Sequence, residues 1–316
     1  MTSSVIVSTQ QLTKQFDDLA AVDQVSLSIE TGEVYGLIGP NGAGKTTLIR
    51  MLAAAEEPTV GDIFIQGQRL MRGDANPEIQ RQIGFLPDDF PLYDDLTVTD
   101  YLDYFARLYF LREPQLGDRI ETVLNLVSLT GKRNSLIGGL SRGMRQRLSL
   151  ARCIIHQPTL LLLDEPVSGL DPIARIEMRN VIKQLQAEGV TILISSHVLS
   201  DLEDFCTSVG VMEKGRLVES ARLQALYERS NVQNIIVGTT GELADLEAAL
   251  TSYDGVQACK KLAVGSRIGI EFSGSEDEIA ALLRSLITSG LPIVDFSRTR
   301  ESLESIFLKM GYQETS

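Results

Sequence analysis

The stretch Gly39-Pro40-Asn41-Gly42-Ala43-Gly44-Lys45-Thr46-Thr47 constrains this chain more than any other part of it. It fills the pattern G-x-x-x-x-G-K-[ST], the P-loop, in which glycines let backbone N–H groups close in on phosphate oxygens. Lys45 supplies a mobile positive charge for β- and γ-phosphates, and Thr46 offers a hydroxyl to Mg²⁺. A helix leaving such a loop points its positive N-terminal end at the same anion. The pattern carries meaning only between a strand and a helix. Val34–Ile38 is an apolar run that reads as a buried strand, and Thr46–Ala55 reads as the helix that follows. The expectation is a nucleotide site, with the residues from Gly39 to Thr47 around its phosphates.

Short apolar runs alternate with helical patterns over residues 1–222, which predicts an α/β domain on a largely parallel sheet. Core strands are expected at Val34–Ile38, Ile83–Leu86, Leu160–Leu163, Thr191–Ser195 and Val209–Met212. Leu160–Leu163 is apolar without alternation, as suits a strand covered on both faces. Val5–Ser8, Val25–Ile29 and Ile63–Ile65 read as an N-terminal antiparallel part. Residues 88–157 carry no strand pattern and read as an inserted helical subdomain. There Thr97 and Asp100 form a capping-box start, and Leu102, Phe105 and Leu108 share one helical face. After a linker at 223–231, residues 232–316 run in the order βαββαβ of a ferredoxin-like α+β domain, then a last helix over Ser302–Met310.

Asp164 and Glu165 follow the Leu160–Leu163 run. The C-terminal end of a buried strand is where a doubly wound sheet meets its ligand. Asp164 is suited to hold Mg²⁺, usually through water, and Glu165 to reach the water that attacks a γ-phosphate. Two solvated acids at a strand end are the alternative, which the P-loop disfavours.

Leu140-Ser141-Arg142-Gly143-Met144-Arg145-Gln146 resembles the signature sequence of ATP-binding-cassette (ABC) ATPases, commonly L-S-G-G-Q. A serine hydroxyl and glycine N–H groups at a helix N-terminus suit an anion. The resemblance implies that Ser141 and Gly143 complete the pocket of an opposing subunit, at its γ-phosphate. Arg142 and Met144 depart from the common sequence. The segment also reads as a capped helix with Met144, Leu148, Ala151 and Ile155 on a core face, and both readings hold together. Ser168-Gly169-Leu170-Asp171 is similar to the family's D-loop, and Ser195-Ser196-His197 to its H-loop, whose histidine contacts the γ-phosphate. Phe16 stands where the family stacks an aromatic ring on adenine; as a lone aromatic it would read as core. Ile83–Asp88 is similar to the run into the Q-loop, with Asp88 where most members carry Gln. A carboxylate oxygen is a good hard ligand, so Asp88 joins Thr46 and Asp164 as a candidate metal contact. His156, at a helix end beside Pro158, reads as structural.

The resemblance spans Thr9 to Leu217 and is closest to the ATPase subunits of ABC-2-type exporters, which Ser302–Leu308 also resembles. It implies ATP hydrolysis with Mg²⁺, with Glu165 as base and Lys45 and His197 stabilising charge. It implies two facing cassettes, the second being another copy or a paralogous ATPase. It also implies separate transmembrane permease subunits, which place the chain on the cytoplasmic face of a membrane. The expected docking surface is the helical block with the Asp88 loop, including Phe90, Leu92, Tyr93 and Leu96.

Composition limits the other readings. A net charge of −13 over 316 residues argues against a nucleic-acid partner, because phosphate backbones select basic surfaces. Cys153, Cys206 and Cys259 suggest neither a disulfide framework nor a zinc site, and read as small buried apolar side chains. No apolar stretch approaches the roughly 18 residues of a membrane helix, and Met1–Val7 does not read as a signal peptide. The expectation is a soluble cytosolic chain. A soluble ABC ATPase of DNA repair or translation, and an ATP-dependent regulatory module with the C-terminal domain as output, are the competing classes. A GTPase is disfavoured, since the chain has no N-K-x-D guanine reader.

Overall fold

The computed structural model describes residues 4–70, 77–89, 91–203, 205–229, 233–262, 265–299, 303 and 306. Strands β1 (Val5–Phe16), β2 (Leu19–Val25) and β3 (Ser28–Glu30) precede β4 (Val34–Ile38), which feeds the P-loop. Helix α1 (Lys45–Leu52) leaves the loop, and β5 (Val60–Ile65) and β6 (Gln68–Arg69) follow. The five strands other than β4 form an antiparallel sheet in which β1 pairs with β2, β3 and β5. Val25–Ile29 is not the single strand that its pattern suggests. The Thr9 hydroxyl donates to Val25 O and accepts from Leu27 N, so the chain breaks there and β1 passes from one partner to the next.

After α2 (Pro77–Gln80) and β7 (Ile83–Leu86) come three helices: α3 (Val98–Leu108), α4 (Gln115–Leu126) and α5 (Arg142–Ile154). Thr97 caps α3 by accepting from Asp100 N, a contact worth about 1 kcal/mol. Val98, Tyr101, Leu102 and Ala106 form the buried face of that helix. Leu108 is 54% exposed, against expectation, because the buried stripe follows spacings of three and four rather than three alone. In α5, Leu148, Ala151 and Ile155 at its end are buried, whereas Met144 is only half-buried.

The chain then adds β8 (Leu160–Leu163), α6 (Pro172–Ala187), β9 (Thr191–Ser196), β10 (Ser208–Glu213) and β11 (Arg216–Arg222). The large sheet has the order β11-β10-β4-β9-β8-β7, parallel except at the β10–β11 edge. All four leucines of β8 are fully buried, each worth about 1.5–3 kcal/mol relative to exposure. Helix α1 packs Leu48, Ile49, Met51 and Leu52 into one core with Leu12 and Ile29 of the antiparallel sheet and Leu162 and Leu193 of the parallel one.

The chain divides into two compact units, 1–223 and 224–314. Leu223–Arg229 forms helix α7 within the stretch read as linker; Leu223 and Leu226, three residues apart, are both buried. The second unit contains β12 (Gln233–Thr239), α8 (Leu243–Thr251), β13 (Val256–Lys261), β14 (Arg267–Phe272), α9 (Glu276–Thr288) and β15 (Ile293–Thr299). Its antiparallel sheet runs β13-β14-β12-β15 around its own core of Ile235, Val237, Leu246, Leu250, Ile270, Phe272 and Leu282. Cys153 and Cys206 are buried, but Cys259 is only half-buried on the outer strand β13. The expected helix over Ser302–Met310 lies outside the described residues except for Leu303 and Ile306, which are helical and buried.

Candidate functional site

Strands β4, β9, β8 and β7 are parallel neighbours, so their C-terminal ends share one edge of the sheet. Leu37 pairs with Ser195, and Leu163 with Ile194. The P-loop, His197, the Asp164–Glu165 pair and Asp88 all leave that edge, although their sequence positions span more than half the chain.

Gly44 ends the loop at φ +101°, and a Cβ there would lie 2.2 Å from Ala21 O. Only glycine allows the β1–β2 hairpin to close on the P-loop this tightly. Lys45 Nζ donates to Gly39 O at 2.6 Å and to Pro40 O at 3.2 Å, and lies 3.7 Å from Glu165 Oε1. Burial pushes the Lys45 ammonium below its ordinary pKa, while Glu165 and Asp164 act in the other direction.

Asp164 is buried, and its Oδ1 accepts from Ser195 Oγ at 2.7 Å and from Thr46 Oγ1 at 3.2 Å. Its Oδ2 is buried with no hydrogen-bond partner. Burial raises the Asp164 pKa above the usual carboxylate value; the Ser195 and Thr46 hydrogen bonds oppose the rise, and the charges of Glu165 and Asp88 add to it. Asp88 itself is exposed. Glu165 has the left-handed backbone of φ +49°, uncommon for a side chain of its size and costing on the order of 1 kcal/mol. Its N–H donates to Ser195 Oγ at 2.9 Å, and its Oε2 lies 2.8 Å from His197 Nδ1.

Ser195 was not singled out for a role by the sequence, yet its hydroxyl links the backbone of Glu165 to the side chain of Asp164. The available signal is a hydroxyl just after the apolar Ile192–Ile194 run, one residue beyond the level of Leu163 on β8. Phe16 is 44% exposed at the β1–β2 hairpin, with Lys14 Nζ 4.8 Å from its ring centre, so it is not a core aromatic. Ser141 caps α5 by accepting from Met144 N at 3.3 Å. Among the described residues no hydrogen bond or ion pair joins Ser141 or Gly143 to the P-loop of the same chain. His156 is structural: its ring stacks on Tyr109 at 3.9 Å, Nε2 meets Ile83 O at 3.2 Å, and burial lowers its pKa to about 4.

The sequence profile described as ABC transporter matches residues 22–168. The bacitracin transport ATP-binding protein BcrA of Bacillus licheniformis is 33% identical over 316 residues, covering 97% of each chain. This chain belongs to the ATP-binding proteins of ABC transporters. NatA of Bacillus subtilis, an ABC transporter ATP-binding protein, is 39% identical over 216 residues, 68% of this chain and 87% of its own. A solved ATP-binding subunit of an ABC transporter is 29% identical with a TM-score of 0.63, covering 71% of this chain and 92% of that one. A dimeric cassette bound to ADP and phosphate, 23% identical with a TM-score of 0.63, covers 69% and 99% and shares the fold. The chain is thus an ABC ATPase with the cassette fold, as its motifs suggested, and DNA repair or translation is not favoured. No helix among the described residues is long and apolar enough to cross a membrane.

Proposed function

We infer that this chain hydrolyses ATP with Mg²⁺ to drive export through separate transmembrane permease subunits, working as one of two facing cassettes. The observation that carries the chemical part is the buried Asp164 Oδ2, which has no hydrogen-bond partner, while Oδ1 of the same carboxylate accepts from the Thr46 hydroxyl. An unsatisfied buried carboxylate oxygen is costly unless something answers it. Among the described residues no group of three or more His, Cys, Asp or Glu could hold a metal alone. That fits Mg²⁺, which commonly binds one or two carboxylates together with substrate phosphates.

In this reading Thr46 and Asp164 hold the ion, with the exposed Asp88 as a further candidate oxygen ligand. When present with ATP, the ion would supply positive charge to offset the negative charge that develops on the transferring phosphoryl group. Lys45 and the backbone N–H groups of the Gly39–Thr47 loop, Pro40 excepted, bind the β- and γ-phosphates, and Phe16 stacks on adenine. Glu165 takes the proton of the attacking water, held in place by His197 and by the Ser195 contact at its backbone. Ser141 and Gly143 serve the pocket of the opposing cassette, either a second copy or a paralogous ATPase, since each motif occurs once per chain.

The domain organisation we propose is a cassette at 1–222, a joining segment at 223–231 and an accessory domain at 232–316. A cavity of about 390 Å³ lies in the cassette, lined by Ala53, Phe85, Phe105, Tyr109, Arg152 and His156 among others. Beside the helical block, Tyr93 is 49% exposed and Leu92 and Leu96 are half-buried, whereas Phe90 lies outside the described residues. These apolar groups support permease docking here and a place on the cytoplasmic face of the membrane. The name of the bacitracin transport relative supports a transport role, and the ABC-2-type resemblance supports export. The test is fractionation of the native cell: the chain should sediment with membranes, and Leu92→Asp with Tyr93→Asp should release it with soluble ATPase activity intact. A wild-type chain that never associates with membranes contradicts the transport reading.

A further inference from the structure

The common signature sequence has glycine where this chain has Arg142, and the departure has a visible consequence. Arg142 Nη2 donates to Ser168 O at 3.3 Å. Gly169 has φ +63°, and a Cβ built on it would lie 2.6 Å from Nη2, 2.7 Å from Cζ and 2.8 Å from Nη1 of Arg142. The guanidinium therefore lies flat against the backbone of Gly169, in space that a side chain there would take. One residue along α5, a Cβ on Gly143 would lie 2.5 Å from Ala174 Cβ, so the first turns of α5 and α6 are in closest approach. Asp171 caps α6 by accepting from Ile173 N and Ala174 N, both at 3.0 Å. Further along, Arg147 Nη2 pairs with Glu177 of α6 at 3.1 Å. Arg142 thus joins the signature turn to the D-loop, while the Gly143–Ala174 approach and the Arg147–Glu177 pair join α5 to α6.

We propose that Arg142 is a positioning residue that locks the signature turn to the Ser168–Asp171 segment of the same subunit, so that both meet the opposing cassette as one surface. The inference rests on the cross-subunit reading of Ser141. It is specific to arginine. A planar fork can lie on a glycine backbone and donate to a carbonyl at its edge, whereas lysine brings charge without that shape. Glycine at this position would leave the Gly143–Ala174 approach and the Arg147–Glu177 pair but nothing to hold the signature turn to the Ser168–Gly169 backbone.

The test uses the full chain carrying Glu165→Gln, with ATP and Mg²⁺ titrated by light scattering. Arg142→Gly should weaken dimerisation by up to about fivefold for each of the two subunits, the worth of the hydrogen bond lost within each, while the ATP affinity of the monomer changes less than about twofold. With Glu165 restored, kcat should fall by a similar factor at unchanged KM. Arg142→Lys should behave like Arg142→Gly. Dimerisation of Arg142→Gly equal to that of its parent overturns the proposal. Full rescue by Arg142→Lys also overturns it, because charge alone would then suffice, as in a direct contact with the opposing phosphates. Ser141→Arg in the same background separates the two claims: if it still dimerises, the cross-subunit reading is what has failed.

Discussion

His197 Nδ1 lies 2.8 Å from Glu165 Oε2, and this pair ties the end of β9 to the end of β8. The other oxygen of the same carboxylate faces Lys45 Nζ at 3.7 Å. Glu165 is therefore held from both sides by groups able to carry positive charge, and from behind by Ser195 at its N–H. A carboxylate fixed this way has few orientations open to it, which is what a positioned base requires. Its backbone is left-handed, and its side chain reaches Lys45 of the P-loop.

Replacing Glu165 by Gln keeps size and shape but removes proton-accepting power. Turnover should fall about 10²–10⁴-fold with ATP binding retained. His197→Ala leaves the base present but unoriented, so kcat should fall by up to about 10²-fold with little change in KM. Steady-state kinetics on both variants checks the two roles. Near-normal kcat in Glu165→Gln would remove Glu165 as the base.

Lys45→Ala should lose most nucleotide affinity, since it deletes the charge that answers the β- and γ-phosphates. Equilibrium binding of ATP to purified chain reads this directly, and the fold should survive, because the hydrogen bonds lost are to Gly39 O and Pro40 O within the loop. Unchanged ATP affinity contradicts the assignment.

His156 makes stability depend on pH. Its folded pKa of about 4 lies below the ordinary 6.5, because burial disfavours the charged ring and the Arg119 charge adds to this, while the contact with Ile83 O opposes it. The unfolded chain then binds more protons between those values, so stability is fully present above pH 6.5 and is lost as pH falls toward 4. The loss from this group is on the order of 2 kcal/mol after allowance for the exposed part of the ring. His156→Phe keeps a ring to stack on Tyr109 but cannot titrate. It should be less stable at neutral pH by about 1 kcal/mol for the lost hydrogen bond, with a flatter profile from pH 6.5 to 4. Denaturant melts across that range decide it; an unchanged slope would show that His156 is not the titrating group.

The parts of the fold readable from sequence were those with a pattern that depends on little else. Leu160–Leu163 could only be a buried strand, and Gly39–Thr47 needs a strand before it and a helix after it. Exposed edges were not readable: Arg216–Arg222 alternates between exposed and half-buried residues, and Leu19–Val25 buries only Val22 and Val25, so its apolar residues do not mark one core face. The N-terminal strand ran on to Phe16 rather than stopping at Ser8, because its outer half pairs with β2 through polar positions such as Lys14 and Gln15. Within the site, the residue types at the P-loop and after β8 were legible from their chemistry. Ser195 and Arg142 were not, since one hydroxyl or one guanidinium has no pattern of its own, and its role depends on which loop the fold places against it.

The central claim, that two chains share each ATP site, is most directly tested by sedimentation of Glu165→Gln with ATP and Mg²⁺. The variant should sediment as a dimer with ATP and as a monomer without it. Adding Ser141→Arg should return it to monomer while the monomer still binds ATP. A Glu165→Gln chain that stays monomeric with saturating ATP, or a Ser141→Arg monomer that no longer binds ATP, contradicts the account.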